Sequence, residues 1–232
     1  VTDKSRLWAI VPAAGRGARF GSELPKQYLQ LADKTVIEHS IAKLLAISDI
    51  VTVVVALHPE DTFFDSLACA NDPRVSRVDG GLERSDSVAC ALQSLNAEDT
   101  DWVLVHDAAR PCVSHHDITQ LIERGCAHQV GAILAVPVVD TIKRSTEDGE
   151  IQKTVDRERM WRALTPQLFR YGALTKALTY CREHQLKITD EASAMEHCGD
   201  KPALIAGSHR NIKITYPDDL AIAEVFLSRG GQ

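Results

Sequence analysis

The sequence predicts an α/β fold: a doubly wound, mainly parallel, Rossmann-like sheet with a protruding β-hairpin arm. Three observations carry that prediction. Short runs at residues 7–11, 51–56, 102–105 and 132–136 are almost wholly apolar and lack the polar alternation of a half-solvated strand, as strands covered on both faces do. Stretches with helical apolar spacing separate them, and a strand–helix alternation of this kind favours parallel pairing. A polar, β-branched segment with an Asp148-Gly149 turn signal then interrupts the rhythm.

Residues 7–11 form the first expected strand, and residues 35–45 a helix with Val36, Ile37, Ile41, Leu44 and Leu45 on one face. Residues 51–56 and 75–78 are strands, and 85–95 a helix with Val88, Leu92 and Leu95 on one side. The strand at 102–105 ends on His106-Asp107. Ser114 caps the next helix, with Asp117 three residues on and Ile118, Leu121 and Ile122 facing inward. After the strand at 132–136, residues 137–167 read as the arm. A polar hairpin buries little by itself, so it is expected to pack on something else, and a second copy of the chain is the natural candidate. A helix at 171–183, a short one from about 190 to 197, and strands near Leu204 and Ile212 follow. The last helix is expected to start at Pro217, capped by Thr215 with Asp218 three residues later. The 232 residues suit one domain, residues 1–232, with 137–167 as a dimerisation subregion.

Composition narrows the functional classes. A net charge of −6 argues against a nucleic-acid polymer as partner. No run of about 18 apolar residues suggests a membrane span, and the polar residues 1–6 lack the apolar core of a secretory signal. The six cysteines are scattered and form no C-x-x-C pair, which predicts reduced thiols and a cytoplasmic protein.

The strongest chemical signal follows the first strand: Pro12-Ala13-Ala14-Gly15-Arg16-Gly17-Ala18-Arg19-Phe20-Gly21, then Pro25-Lys26. Ligands of open parallel sheets bind at strand ends. Small residues there let backbone N–H groups wrap an anion, and Arg19 and Lys26 add charge where a triphosphate would lie. The spacing G-x-G-x-x-x-G matches neither the dinucleotide fingerprint nor a Walker loop. A second glycine turn, Asp79-Gly80-Gly81, leads into Arg84-Ser85-Asp86-Ser87. Gly81 permits close backbone approach and Ser87 lies in the first turn of a helix, where a hydroxyl can reach a base or ribose; a plain turn with Ser85 or Asp86 as cap is the blander reading. Asp107 stands at a strand terminus in Val105-His106-Asp107-Ala108-Ala109-Arg110-Pro111 and suits Mg²⁺, which takes few protein carboxylates and fills its shell with water and phosphate oxygens. A purely structural pair with Arg110 is the alternative, and His106 reads as a packed histidine rather than a base. Lys213 sits in the β-branched run Asn211-Ile212-Lys213-Ile214-Thr215 and is read as pointing from a strand toward the glycine loop.

Together these residues resemble the 2-C-methyl-D-erythritol 4-phosphate cytidylyltransferase family, from Val11 to about Leu227. The matching segments are VPAAGRGARFGSELPKQY, VDGGLERSDSV, VLVHDAARP, PVVDTIKR, TVDR, ALTPQ, ITDEASAME and NIKIT. The resemblance implies a Rossmann-like nucleotidyltransferase fold and a homodimer whose arms complete each other's sites. It implies CTP and a polyol phosphate, 2-C-methyl-D-erythritol 4-phosphate, as substrates, with Mg²⁺ as cofactor and pyrophosphate as product. On it Ala13, Ala14, Gly15, Gly17, Arg19 and Lys26 hold the nucleotide and its phosphates, Gly81 and Ser87 help read cytosine, Asp107 binds the metal and Lys213 touches the α-phosphate. Thr141 and Arg157 from the partner's arm hold the polyol phosphate, with Arg110 and Thr165 near it. Arg19, Lys26 and Lys213 are the expected catalytic cations. Leu82 departs from relatives that carry a polar residue after the glycine pair. The rival readings are a ribitol-5-phosphate cytidylyltransferase of the same fold and a non-catalytic nucleotide-binding module; the second would need the glycine loop but not Asp107, Lys213 and the arm together.

Overall fold

The computed structural model describes residues 5–15 and 24–228. Arg19 and Gly17, two of the expected phosphate-binding residues, lie outside the described residues, as do the terminal residues 1–4 and 229–232. In chain order the elements are β1 (Leu7–Pro12), β2 (Gln30–Leu31), β3 (Lys34–Thr35), α1 (Val36–Leu45), β4 (Ile50–Leu57), β5 (Val75–Asp79), α2 (Arg84–Ser94), β6 (Trp102–Val105), α3 (His115–Cys126), β7 (Gly131–Pro137), β8 (Ile142–Ser145), β9 (Ile151–Val155), β10 (Trp161–Arg170), α4 (Tyr171–Glu183), α5 (Glu191–His197), β11 (Ala203–Ala206) and α6 (Asp218–Ser228).

Seven strands form one sheet in the order β11-β7-β10-β6-β1-β4-β5. The β1–β4, β4–β5, β1–β6 and β7–β11 pairs are parallel, and β10 runs antiparallel to both β6 and β7. Alternate side chains along each inner strand enter two separate cores. Leu7, Ala9 and Val11 pack with Ile37, Ile41 and Leu44 of α1 and Ile118 and Leu121 of α3. Trp8 and Ile10 point the other way, onto Val88 and Leu92 of α2, Leu174 and Leu178 of α4 and Met195 of α5. The apolar runs are therefore continuous because both faces of the strand are dry. A smaller cluster of Leu31, Val36, Ile214 and Ala223 docks α6 beside the start of α1.

Local chemistry starts the helices where the sequence places them. The Thr35 hydroxyl accepts from Glu38 N while the Glu38 carboxylate accepts from Thr35 N at 2.9 Å, a reciprocal cap on α1. Ser114 Oγ accepts from Asp117 N at 3.0 Å and caps α3. Gly149 takes φ +84° at the tip of the β8–β9 hairpin, a backbone position that favours glycine. All six cysteines are free thiols.

Three expectations are corrected. The arm ends earlier than residue 167: the hairpin proper is β8 and β9, and from Trp161 the chain belongs to the central sheet as β10. Pro166 hides that strand in the sequence, because proline cannot feed a ladder. Here it falls inside a register shift between Ala163 and Gln167, where the pairing with β7 is interrupted. Second, residues 211–215 form no strand. The segment is held by isolated bonds, with Ile214 N donating to Ala109 O at 2.8 Å and Lys26 Nζ to Ile214 O at 2.8 Å. Third, α6 begins at Asp218 and Thr215 does not cap it. The Thr215 hydroxyl turns back to Lys213 O, while Asp219 Oδ2 accepts from the N–H groups of Thr215 and Tyr216, both at 2.8 Å.

Candidate functional site

From β1 the chain winds to β4 and β5 on one side and then returns to β6 on the other. The order reverses between β1 and β6, so their carboxyl ends frame the crevice where such sheets bind ligands. Beyond β1, Ala13 N donates to Ala56 O at 2.8 Å and Ala13 O accepts from the buried Gln27 Nε2 at 2.9 Å, which pins the start of the glycine loop. The second glycine turn comes up against it. A Cβ on Gly80 would lie 2.7 Å from the Ala14 Cβ and 2.8 Å from Ser87 Oγ, so only glycine lets the two loops approach this closely. Ser87 Oγ donates to Glu83 O at 3.1 Å and accepts from Gly81 N at 3.2 Å; its hydroxyl ties the turn to the first turn of α2. The N-terminus of α2 is closed by Asp86, whose carboxylate accepts from Glu83 N.

These loops enclose a cavity of about 390 Å³. Ala13, Ala14, Gly15, Gly81 and Ser87 line it together with Lys26, Asp107 and Lys213. Leu82, fully exposed, lies on its rim.

Asp107 leaves the end of β6 with a nearly buried carboxylate and three cations around it. Lys213 Nζ is 2.9 Å from Oδ2, Arg84 Nε 2.9 Å from Oδ1, and Arg110 Nε 3.4 Å from Oδ2. Burial by itself would favour the neutral acid, yet Arg84, Lys213 and Arg110 together hold the Asp107 carboxyl far below the usual carboxylate range. Burial also works against the Arg84 charge, but Glu191 and then Asp107 more than restore it, so Arg84 is a firmer cation than in water. For Arg110 burial wins, and its pKa is lowered despite Asp107.

A second cavity, about 220 Å³, lies across this cluster and is lined by Arg84, Asp107, Arg110, Thr165 and Lys213. Asp107, Arg84 and Lys213 therefore stand on the wall common to both cavities. Thr165 braces that wall: its Oγ1 accepts from Asp107 N at 3.0 Å and lies 3.1 Å from His106 Nδ1. His106 Nε2 is 3.1 Å from Arg110 O, which can only accept, so Nε2 carries the proton and Nδ1 accepts from Thr165. Burial pushes the His106 pKa down to about 4, so the ring is neutral and packed, with both nitrogens used. Arg110 Nη1 donates to Asn211 O at 2.8 Å, and Asn211 Nδ2 to Thr165 O at 2.8 Å.

The fold thus brings Ala13, Ala14, Gly15, Lys26, Gly81, Ser87, Asp107, Arg110, Thr165 and Lys213 to two adjoining cavities. It does not bring Thr141 and Arg157 there. Both are exposed on the arm and line neither cavity, and Arg157 Nη1 donates to Val139 O. Gln27, Glu191 and Asn211 are structural partners of the site that the sequence pattern does not single out, and the pattern gives Arg84 no role. Arg84 and Glu191 lie in two of the family-like segments, but more than a hundred positions apart, and only folding pairs them.

Among the described residues no group of three or more His, Cys, Asp or Glu side chains could cage a metal. The larger cavity has two carboxylate residues on its lining, Glu83 and the more buried Asp107, together with Lys26 and Lys213. That fits magnesium, which takes one or two carboxylates and completes its shell with water and phosphate oxygens.

A switch-point crevice of nucleotide size, divided by a carboxylate and its cations from a smaller cationic cavity, defines an α/β nucleotidyltransferase. Known proteins agree with that class. The family model described as IspD, 2-C-methyl-D-erythritol 4-phosphate cytidylyltransferase, matches residues 7–229. The enzyme of that name from Vibrio cholerae serotype O1 is 54% identical over 226 residues, covering 97% of each chain. A crystal structure of a 4-diphosphocytidyl-2C-methyl-D-erythritol synthase superposes with a TM-score of 0.84 at 41% identity, covering 97% of this chain and 99% of the other. The Francisella tularensis 2-C-methyl-D-erythritol 4-phosphate cytidylyltransferase gives a TM-score of 0.84 at 36% identity, covering 96% and 100%. The chain belongs to the 2-C-methyl-D-erythritol 4-phosphate cytidylyltransferase family.

Proposed function

We propose that this chain joins the cytidylyl group of CTP to 2-C-methyl-D-erythritol 4-phosphate and releases pyrophosphate, a step of non-mevalonate isoprenoid biosynthesis. The observation that carries the reading is the shared wall: Lys213 and Arg84 flank Asp107 between a nucleotide-sized cavity and a smaller one lined by Arg110 and Thr165. Relatives at about half identity bear the name of this activity, which supports methylerythritol phosphate over ribitol phosphate as the polyol.

The attacking group is a phosphate oxygen of the polyol phosphate, already an anion, so no protein nucleophile or general base is required. That oxygen displaces pyrophosphate from the α-phosphorus in line; the P–O bond to the β-phosphate breaks and its electron pair leaves with pyrophosphate. The difficulty is electrostatic, since two anions must meet and charge builds on the leaving group. Lys213 would offset charge at the α-phosphoryl group, Lys26 and Arg19 would serve the leaving pyrophosphate, and the glycine loop would supply N–H donors. Asp107 would hold Mg²⁺, which on binding neutralises phosphate charge. The neutral His106 adds no further positive charge beside Arg84, Arg110 and Lys213 and takes no proton.

The exposed arm, with Val139 and Ile151 uncovered at its sides, supports a homodimer in which Thr141 and Arg157 reach the partner's smaller cavity. No helix among the described residues is long and apolar enough to cross a membrane, and the free thiols suit a cytoplasmic enzyme. Pyrophosphate release measured with four NTPs against a panel of sugar and polyol phosphates tests the assignment. Turnover with CTP and 2-C-methyl-D-erythritol 4-phosphate is expected; activity with ribitol 5-phosphate alone would replace it.

A further inference from the structure

Glu191 opens α5, is 1% exposed, and lines neither cavity of the site. Its two oxygens take Arg84 Nη1 at 2.7 Å and Nη2 at 3.1 Å. This fork leaves Arg84 Nε for Asp107 Oδ1 at 2.9 Å. All three guanidinium nitrogens are thus committed to two carboxylates. Glu191 is itself held from β10: Gln167 Nε2 donates to Asp190 Oδ2 at 2.8 Å and Gln167 Oε1 accepts from Ala192 N at 2.9 Å, which clamps the first turn of α5 from both sides. Charged hydrogen bonds thus run from Glu191 through Arg84 to Asp107, and Gln167 of the central sheet holds the helix turn that carries Glu191.

A buried ion pair is weak grounds for stability, because losing water from both ions offsets much of their attraction. Its geometry is more telling. A bidentate arginine–carboxylate pair fixes the guanidinium plane as well as its place. With that plane fixed, Nε holds one oxygen of Asp107, and the other is turned to Lys213. Without Glu191, Arg84 keeps a single carboxylate partner and is free to swing toward the phosphates of a bound nucleotide.

We propose that Glu191 is a positioning residue for the transfer reaction: through its two-point pair with Arg84 it sets the orientation of the Asp107 carboxylate on the wall between the two cavities. The proposal rests on the cytidylyl-transfer reading of the site.

The test uses the full-length chain with CTP and 2-C-methyl-D-erythritol 4-phosphate, with Glu191→Gln and the double variant Arg84→Met/Glu191→Met. Thermal unfolding and steady-state kinetics are measured for each. Glu191→Gln is expected to lower kcat by about tenfold or more with the KM for CTP within about threefold, as loss of a transition-state arrangement does. The apolar pair is expected to unfold near the wild-type temperature, since such replacements are often neutral, and yet to lose at least as much kcat. Wild-type turnover in the apolar pair would show that Arg84 and Glu191 only fill space, and would overturn the proposal. So would Glu191→Gln with kcat within about threefold of wild type, a loss confined to KM, or failure of both variants to fold, which would make Glu191 a purely structural residue. A wild-type chain inactive on this substrate pair would instead remove the functional reading, and the proposal with it.

Discussion

Lys213 Nζ lies 2.9 Å from Asp107 Oδ2, although both residues lie outside the strands and helices, Asp107 just beyond β6 and the lysine in the segment before α6. Lys213 is half-exposed while Asp107 is nearly buried, so the lysine side chain spans from the wall to the open cavity. Under the proposed function, the ammonium that pairs with the carboxylate would also meet the phosphoryl group in the open cavity.

Lys213→Ala and Lys26→Ala are each expected to lower kcat by about a hundredfold or more, the scale seen when a transition-state donor is removed. Single-turnover kinetics at saturating substrates would check this. Near wild-type turnover in both variants would remove the two lysines from the chemistry.

Arg157 lines neither cavity of its own chain, so its contribution is expected in trans. Arg157→Ala should raise the KM for the polyol phosphate and leave CTP affinity nearly unchanged. Mixing Arg157→Ala chains with Lys26→Ala chains should restore activity, because one site of each heterodimer then has both residues. Verified heterodimers with no recovery would exclude a shared site.

Gly80→Ala tests the contact between the two glycine loops. The added Cβ would fall 2.7 Å from Ala14 Cβ, 2.8 Å from Ser87 Oγ and 3.1 Å from Leu57 O. At least one loop must yield, at a cost of about 1–3 kcal/mol typical of overpacking. Weaker CTP binding by calorimetry together with a lower Tm is expected. CTP affinity equal to wild type would mean that the cavity does not depend on this approach.

Asp101 predicts an acid limb of stability. It is buried at the foot of the sheet, where burial favours its neutral form. Trp8 Nε1 at 3.0 Å, Arg6 N at 2.8 Å, Glu98 N at 3.0 Å and the Arg6 charge outweigh this and lower its pKa from the ordinary 3.8. A depressed carboxyl stabilises the fold above its unfolded value and loses that contribution as pH falls through 3.8 toward its folded value. Asp101→Asn should therefore lower stability at pH 7 by about 1–3 kcal/mol and flatten the fall at acid pH. Urea unfolding at pH 7, 4 and 3 would show it; parallel curves for wild type and variant would refute the assignment.

Local patterning was legible wherever one short-range rule decided the outcome. The helix at 171–183 has its expected bounds, Ser114 caps as a short polar residue before apolar periodicity does, and Asp148-Gly149 makes the hairpin tip. Pattern failed where a distant partner decided. Residues 211–215 have strand-like alternation, but the loop after β6 takes their hydrogen bonds one at a time. β10 was hidden because Pro166 is tolerated only through an irregularity that its neighbour β7 accommodates.

The sequence by itself determined the sheet-and-helix alternation, the glycine turns and the family, because apolar period, turn chemistry and motif order are properties of neighbouring residues. Only the tertiary structure decided which charges meet: that Asp107 is shared by Arg84, Arg110 and Lys213, and that Arg84 is held by Glu191. Attraction between ions depends on distance and on the water removed between them, and both are set only when remote segments fold together.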